Sequence, residues 1–337
     1  MKPTDFSKYI SHFISKYLPN EKGASHNTIT AYRDSFVLLL NFIQNEKQVK
    51  LEKITLEKIK KETIIEFLDW IEKERKCSST TRNSRLAAIH SFYKYLQCES
   101  LDHLHECQKI LSIKFKKVSH DSVNYLTIEG IKLLLQQPDA TTIKGRRDLA
   151  LLSLMYDTGA RVQEIIDLTP SRLRLNKPST IKIIGKGNKA RLVPMLDVQI
   201  GHLENYLKEN KLTESHANMH PLFFNSRKEK LTRAGVNHIL WKYSTTAREK
   251  NKMIIPDKIS CHSLRHSKAM HLLQAGVNLV YIRDILGHVS IQTTKIYARA
   301  DSQQKRTALE KAYVKVNPGE EPMWTENENL ITWLKRF

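Results

Sequence analysis

Cysteine is scarce in this chain of 337 residues: Cys77, Cys98, Cys107 and Cys261 include no Cys-x-x-Cys pair. Neither a cysteine zinc site nor a disulfide framework is indicated, and a reducing compartment is expected. Long apolar runs are also missing. No stretch approaches the roughly 18 residues of a membrane helix, and Lys2, Asp5 and Lys8 interrupt the apolar residues where a signal-peptide core would lie. The expectation is a cytoplasmic protein without a membrane partner. Acidic residues are outnumbered, with 35 Asp and Glu against 55 Lys and Arg, a net charge of +20. Such a field attracts polyanions, nucleic acid first and an anionic membrane surface second. The Gly-x-x-x-x-Gly-Lys-Ser/Thr pattern of a phosphate-cradling nucleotide loop is absent.

The length suggests two domains, each able to bury its own core. Through the first third, apolar residues recur at helical spacing in four stripes. These are Phe6 to Leu18, Ile29 to Ile43 behind a cap at Ser25 or Thr28, Ile64 to Ile71, and Leu86 to Leu96. A compact domain of four or five helices is predicted. Outside the fourth stripe lie Thr80, Thr81, Arg82, Asn83 and Arg85, which are suited either to phosphates and base edges or to a plain solvated face. From Ile113 to Tyr125 the periodicity lapses into Lys114, Lys116, Lys117 and polar neighbours, the pattern of a linker that either tracks a DNA backbone or is basic for solubility alone.

The second domain opens at Thr127, a helix N-cap, and runs through a buried helix to Thr158-Gly159. Arg161 then starts a new turn with Glu164 one turn later. The segments 180–184 and 191–194 read as strands joined by Gly-Lys-Gly-Asn-Lys-Ala, and Arg172 to Leu175 add a third. The hairpin tip presents Lys186 between two glycines and Lys189 beyond them. After Pro256 helices resume, with His262 and Arg265 on one face, Gly276 closing that helix, and a short helix ending at Gly287. His288 follows at once and Tyr297 nine residues later. Taken singly, each is better read as structural: a boundary arginine, a satisfied histidine, a packed aromatic. Taken together they form equipment for attacking a phosphodiester.

The chain resembles the tyrosine recombinase, or phage integrase, family, with its nearest likeness to Xer-type members. The likeness rests on Thr-Gly-Ala-Arg-Val-Gln-Glu at 158–164, Gly-Lys-Gly-Asn-Lys-Ala-Arg-Leu-Val-Pro at 185–194, His-Ser-Leu-Arg-His at 262–266, and Leu-Gly-His at 286–288 with Tyr297. Asn27 to Arg33 and Thr81-Arg82-Asn83 carry a weaker likeness to the family's core-binding domain. Ala160 and Ser263 depart mildly from the usual pattern.

The resemblance implies a mainly α protein: a helical, SAM-like core-binding domain at 1–113, a linker at 114–125, and an α+β catalytic domain with a small antiparallel sheet at 126–316. It makes Tyr297 the nucleophile, Arg161 and Arg265 the arginine pair, Lys186 the hairpin lysine, and His262 and His288 the two histidines. Thr81, Arg82, Asn83, Arg85, Lys189 and Arg191 are the expected DNA contacts of such a protein. His262 would take or relay the tyrosine proton, Lys186 would protonate the leaving 5′-oxygen, and no metal or other cofactor is expected. Residues 317–337 carry a capping box, Thr325-x-x-Glu328, before the apolar stripe Leu330, Ile331, Trp333, Leu334 and Phe337. That tail is expected either to fold back on its own domain or, the favoured reading, to dock on a neighbouring subunit in a homotetramer on paired duplex sites, with accessory DNA-bending proteins as further partners and a mobile element the favoured setting. The alternatives are a type IB topoisomerase-like enzyme and a catalytically silent DNA-binding accessory protein.

Overall fold

The computed structural model describes residues 3–118, 124–300 and 329–335, and the side chains of Lys186, Ser215, Arg299 and Ala300 are outside that description. The chain divides into two compact units, residues 1–121 and 122–337. No described helix is long and apolar enough to cross a membrane.

Every described element of the first unit is a helix. Helix α1 (Asp5–His12) runs directly into a π-helical stretch, Phe13–Glu21, that contains Pro19. Proline has no N–H and its ring crowds the carbonyl one turn back, which is consistent with the widened winding there. Helices α2 (His26–Glu46), α3 (Lys61–Lys73), α4 (Ser79–Glu99) and α5 (Leu104–Leu111) follow. Of the two expected caps for α2, Ser25 is the one used, accepting from the Thr28 amide. The core joins the four predicted stripes around Phe13, Phe36, Phe67 and Phe92, with Cys107 and Ile110 of α5 closing it. Phe13, Phe36 and Phe92 meet edge to face with centroids 5.3 to 6.3 Å apart.

The second unit begins as predicted, with Thr127 capping α6 (Ile128–Leu135) through the Gly130 amide at 3.2 Å. Helix α7 (Ile143–Thr158) is buried and ends at Gly159, whose φ of +56° is the left-handed C-cap. Here glycine is required twice, because a Cβ would also meet Leu286 Cδ2 at 2.6 Å. The short α8 (Val162–Ile166) leads to an antiparallel sheet in the order β1 (Leu173–Arg174), β2 (Thr180–Ile184), β3 (Ala190–Pro194), with Ile181 opposite Val193. Ile181, Ile183 and Val193 face the core, the alternation expected of a sheet with one covered face.

Helices α9 (Asp197–Glu209) and α10 (Arg233–Lys250) occupy a stretch for which no element is predicted above, and they supply Leu203, Tyr206, Val236, Leu240 and Tyr243 to the main core. Helices α11 (Cys261–Gln274), α12 (Leu279–Leu286) and α13 (Ile291–Ala300) form a smaller cluster around Met270, Ile282 and Leu286. A further helix, Leu330–Leu334, starts behind Asn329, which accepts from the Ile331 amide. The capping box expected at Thr325 and Glu328 falls outside the described residues, as do Phe337 and the linker's 119–123.

Candidate active site

Helix α11 sets the geometry. Ser260 and Ser263 close its first turn, the Ser263 hydroxyl accepting from the Ser260 amide at 3.1 Å. Ser263 thus fills an N-terminal capping role that an acidic side chain can also fill. Three and four residues on from His262, Arg265 and His266 fall on the same face.

Arg265 is only 3% exposed and is held by two backbone carbonyls. Its Nη1 donates to Gly159 O at 2.6 Å and its Nη2 to Leu286 O at 2.7 Å. Both carbonyls lie at helix C-termini, where main-chain oxygens lack partners and attract cations. One guanidinium thereby joins the ends of α7 and α12. Burial, together with the Arg161 charge, lowers its pKa to about 10, which leaves it charged at neutral pH.

Glu164, 5% exposed, anchors the other arginine. Its Oε2 accepts from the Arg161 amide at 2.9 Å and from Arg191 Nη2 at 2.7 Å, while its Oε1 accepts from Arg161 Nη1 at 2.9 Å and Arg191 Nη1 at 3.2 Å. Arg191 Nε continues to Ile285 O at 2.8 Å. Burial by itself would raise the Glu164 carboxyl, but the bonds from Arg191 and Arg161 outweigh it and the pKa is lowered. The Arg161 side chain keeps a third of its surface exposed. Gly185, at the foot of the hairpin, is so close that a Cβ there would sit 3.1 Å from Glu164 Oε1. The hairpin therefore starts at the site, and the backbone of Lys186 lies in the turn that follows, with Gly187 at φ +75°.

Tyr297, on α13, is buried to 1% exposure among Met270, Ile282 and Leu286. Its hydroxyl lies 2.9 Å from His266 Nδ1, with the two rings 5.7 Å apart. His288 is nearly parallel to the phenol at 6.3 Å between centroids, and its Nδ1 is 2.9 Å from the buried Thr294 hydroxyl. Burial raises the Tyr297 pKa, opposed by the charges of Arg265 and Arg161. Those arginines lower the histidines too, but there they reinforce burial instead of opposing it. Burial and then Arg265 and Arg161 lower His262, and the same causes bring His288 to about 4, so both rings are neutral at pH 7.

The structure thus brings together Arg161, His262, Arg265, His288 and Tyr297, while the Lys186 side chain lies outside the described residues. Three neighbours were given no site role from the sequence: Glu164 and His266, which appear only within the motifs, and Thr294. The residue bonded to the Tyr297 hydroxyl is His266, not His262, whose ring is 6.2 Å from that of His266 and is itself exposed.

Several expected DNA contacts are engaged internally. Arg191 is committed to Glu164 and Ile285, with 11% of its side chain exposed. Arg82 is 6% exposed and lies 3.6 Å from Glu72, because it continues the inner row of Leu86, Ile89 and Tyr93 instead of lying outside it. Arg85 donates to Ser35 Oγ at 3.0 Å. Asn83 brackets the Lys116 backbone, donating to its carbonyl at 2.8 Å and accepting from its amide at 3.0 Å. Thr81 is half-buried beside its cap Ser78, and Lys189 is exposed on the hairpin. Among the described residues no His, Cys, Asp and Glu cluster is arranged to hold a metal ion.

Comparison with known proteins follows the same division of the chain. The model of the phage integrase family matches residues 124–304, and that of the phage integrase N-terminal SAM-like domain matches residues 12–100. A chain named integrase/recombinase y4rC of Sinorhizobium fredii is 34% identical, covering 99% of this chain and 98% of the relative. The tyrosine recombinase XerC of Thermodesulfovibrio yellowstonii is 30% identical over 92% and 97% of the two chains. The tyrosine recombinase XerD of Staphylococcus haemolyticus is 32% identical over 86% and 94%. Among solved structures, the Tn1549 transposon integrase in complex with transposon right end DNA superposes with a TM-score of 0.69 at 16% identity, over 90% of this chain and 98% of that one. The XerH recombinase bound to its difH substrate gives 0.64 at 22%, over 88% and 82%. At these identities the structural likeness is one of fold.

Proposed function

The chain belongs to the phage integrase family of tyrosine recombinases, and we propose that it cuts and rejoins duplex DNA at specific sites through a 3′-phosphotyrosyl link to Tyr297. The observation that carries this reading is the Tyr297 hydroxyl, hydrogen-bonded to an imidazole and lying in the field of two guanidiniums.

Attack on phosphorus places charge on the non-bridging oxygens. Arg265, pinned by two carbonyls, and Arg161, oriented by Glu164, present N–H donors to that charge without having to be reorganised at the moment of reaction. They provide the charge neutralisation that a metal ion supplies in other phosphoryl-transfer sites. His288, neutral, has Nδ1 2.9 Å from the Thr294 hydroxyl; in the tautomer that accepts there, its proton sits on Nε2 for the phosphate. Lys186 protonates the departing 5′-oxygen. The phosphotyrosyl bond retains the energy of the broken linkage, so a 5′-hydroxyl of another strand reseals it without ATP. Because Tyr297 is covered here, α13 or its surroundings shift when a phosphate is admitted.

A suicide substrate with a nick beside the scissile bond tests this. The expected outcome is a covalent protein–DNA adduct attached through a 3′-phosphate. A 5′-linked adduct, or none on any cognate site, would overturn the proposal and favour a silent DNA-binding protein. Relaxation of supercoils on plasmids lacking a site would instead favour a topoisomerase.

For the assembly, we propose a homotetramer on paired sites held in part by the tail. Leu330, Ile331 and Leu334 are exposed on their short helix, an apolar face suited to a neighbouring subunit. Deleting residues 325–337 is expected to leave cleavage of a single site intact and to reduce tetramers on paired sites in native gels. Unchanged assembly would sink the tail's role.

A further inference from the structure

We propose that His266 is the base that takes the Tyr297 proton during strand cleavage, a role that rests on Tyr297 being the nucleophile.

The phenol must lose a proton as its oxygen bonds to phosphorus, and that proton needs an acceptor already within hydrogen-bond reach. In the structure His266 Nδ1 meets this condition at 2.9 Å from the Tyr297 hydroxyl. His262, one turn earlier on the same helix, faces solvent with its ring 6.2 Å from His266, and His288 directs its Nδ1 to Thr294. The two remaining imidazoles of the site are therefore placed for the phosphate, and His266 for the nucleophile.

Two features adapt His266 to this task. Its ring is half-buried on α11, the helix that also carries Arg265, so base and phosphate clamp are set by one rigid element. Burial, aided by His262 and Arg265, lowers its pKa, which keeps it unprotonated at neutral pH. In the tautomer with its proton on Nε2, Nδ1 accepts the phenolic O–H.

The Tyr297 oxygen forms a bond to phosphorus, the P–O5′ bond breaks, the phenolic proton moves to His266 Nδ1, and the 5′-oxygen receives its proton from Lys186. On resealing, the 5′-hydroxyl attacks phosphorus and gives its proton back to the now neutral Lys186, the P–O bond to Tyr297 breaks, and His266 returns the proton to the tyrosyl oxygen. A protonated His266 in the covalent intermediate also places a positive charge beside the bond to be broken next.

The test measures single-turnover cleavage on the nicked suicide substrate, using variants that still bind the site and melt as the wild type does. His266→Ala is expected to slow cleavage ~100-fold, within the range of general-base contributions. His266→Asn retains a hydrogen-bonding oxygen near the Nδ1 position but cannot take a proton, and it is expected to be as slow. Recovery of the rate by asparagine would overturn the proposal in favour of mere positioning. Replacing Tyr297 with a difluorotyrosine, whose phenol is more acidic, should restore much of the rate to His266→Ala. A substrate with a 5′-bridging sulfur, whose leaving group needs no proton, should restore nothing to His266→Ala while relieving Lys186→Ala. The reverse pattern, or a defect confined to His262→Ala, would overturn the assignment. If Tyr297→Phe still forms adduct, the nucleophile itself is misassigned, and that failure is distinct.

Discussion

Tyr297→Phe is expected to eliminate covalent capture of DNA while leaving the second unit folded. Phenylalanine keeps the ring that packs on Met270, Leu273, Ile282 and Leu286 and removes only the oxygen. The stability change should be small, about 1 kcal/mol, corresponding to one hydrogen bond, the one to His266. The chemical change should be complete, because the described residues offer no second phenol bonded to an imidazole of this site, and the hydroxyl at His288 is that of the buried Thr294, an aliphatic alcohol. The measurement is a denaturing gel of the nicked substrate, with a gel shift to show that binding survives. An adduct that persists would remove Tyr297 from the reaction. Loss of both adduct and binding would mean instead that the hydroxyl is structural.

Why Tyr297 could be singled out from the sequence, and its hydrogen-bond partner His266 could not, follows from what spacing encodes. A three-residue interval fixes a shared helix face, so His262 and Arg265 could be paired without coordinates. His266 satisfies the same rule, lying four residues beyond His262, yet nothing in a linear chain says which ring will meet a phenol 31 residues away. That depends on how α13 packs on α11. Glu164 carried a clearer signal. It stands three residues after the helix-starting Arg161, where a carboxylate reaches back to the backbone amide, and it does so at 2.9 Å. Its second partner, Arg191, comes from a strand and has no local signature.

The mainly α architecture with its small sheet was readable because the apolar stripes were long and the hairpin glycines explicit. Helices α9 and α10 have equally regular stripes, Ile200 to Leu207 and Val236 to Tyr243, but no motif drew attention to them. Arg82 shows the opposite failure. Its charge suggested the outside, whereas its helical position placed it on the inner row against Glu72, with the aliphatic stem covered.

Glu164→Ala is expected to produce the largest loss of stability of any single change at the site. The carboxylate accepts four hydrogen bonds from two arginines, so its removal leaves the Arg191 guanidinium, 11% exposed, without its counter-charge. Breaking such a pair from one side costs about 3–5 kcal/mol, or a fall of about 10 °C in the melting temperature of a unit this size. Arg161 would suffer less directly, being a third exposed and hydrated, but it would lose the group that orients it, and cleavage should fall with stability. Adding Arg191→Met to Glu164→Ala should recover part of the loss, because the stranded charge is then gone. If the double variant is no more stable than the two single losses summed, Arg191 and Glu164 are not coupled and the ion pair is incidental. The pH dependence supplies an independent sign. A carboxyl whose folded pKa is depressed binds fewer protons folded than unfolded, so its stabilisation is present above the unfolded value near 4.3 and lost as pH falls through the folded one. Wild-type melting should therefore drop steeply on acidification below about pH 4.3. Glu164→Gln, which keeps the shape but cannot titrate, should start lower and lose less over the same interval. A parallel drop in both proteins would show that other carboxylates govern acid unfolding.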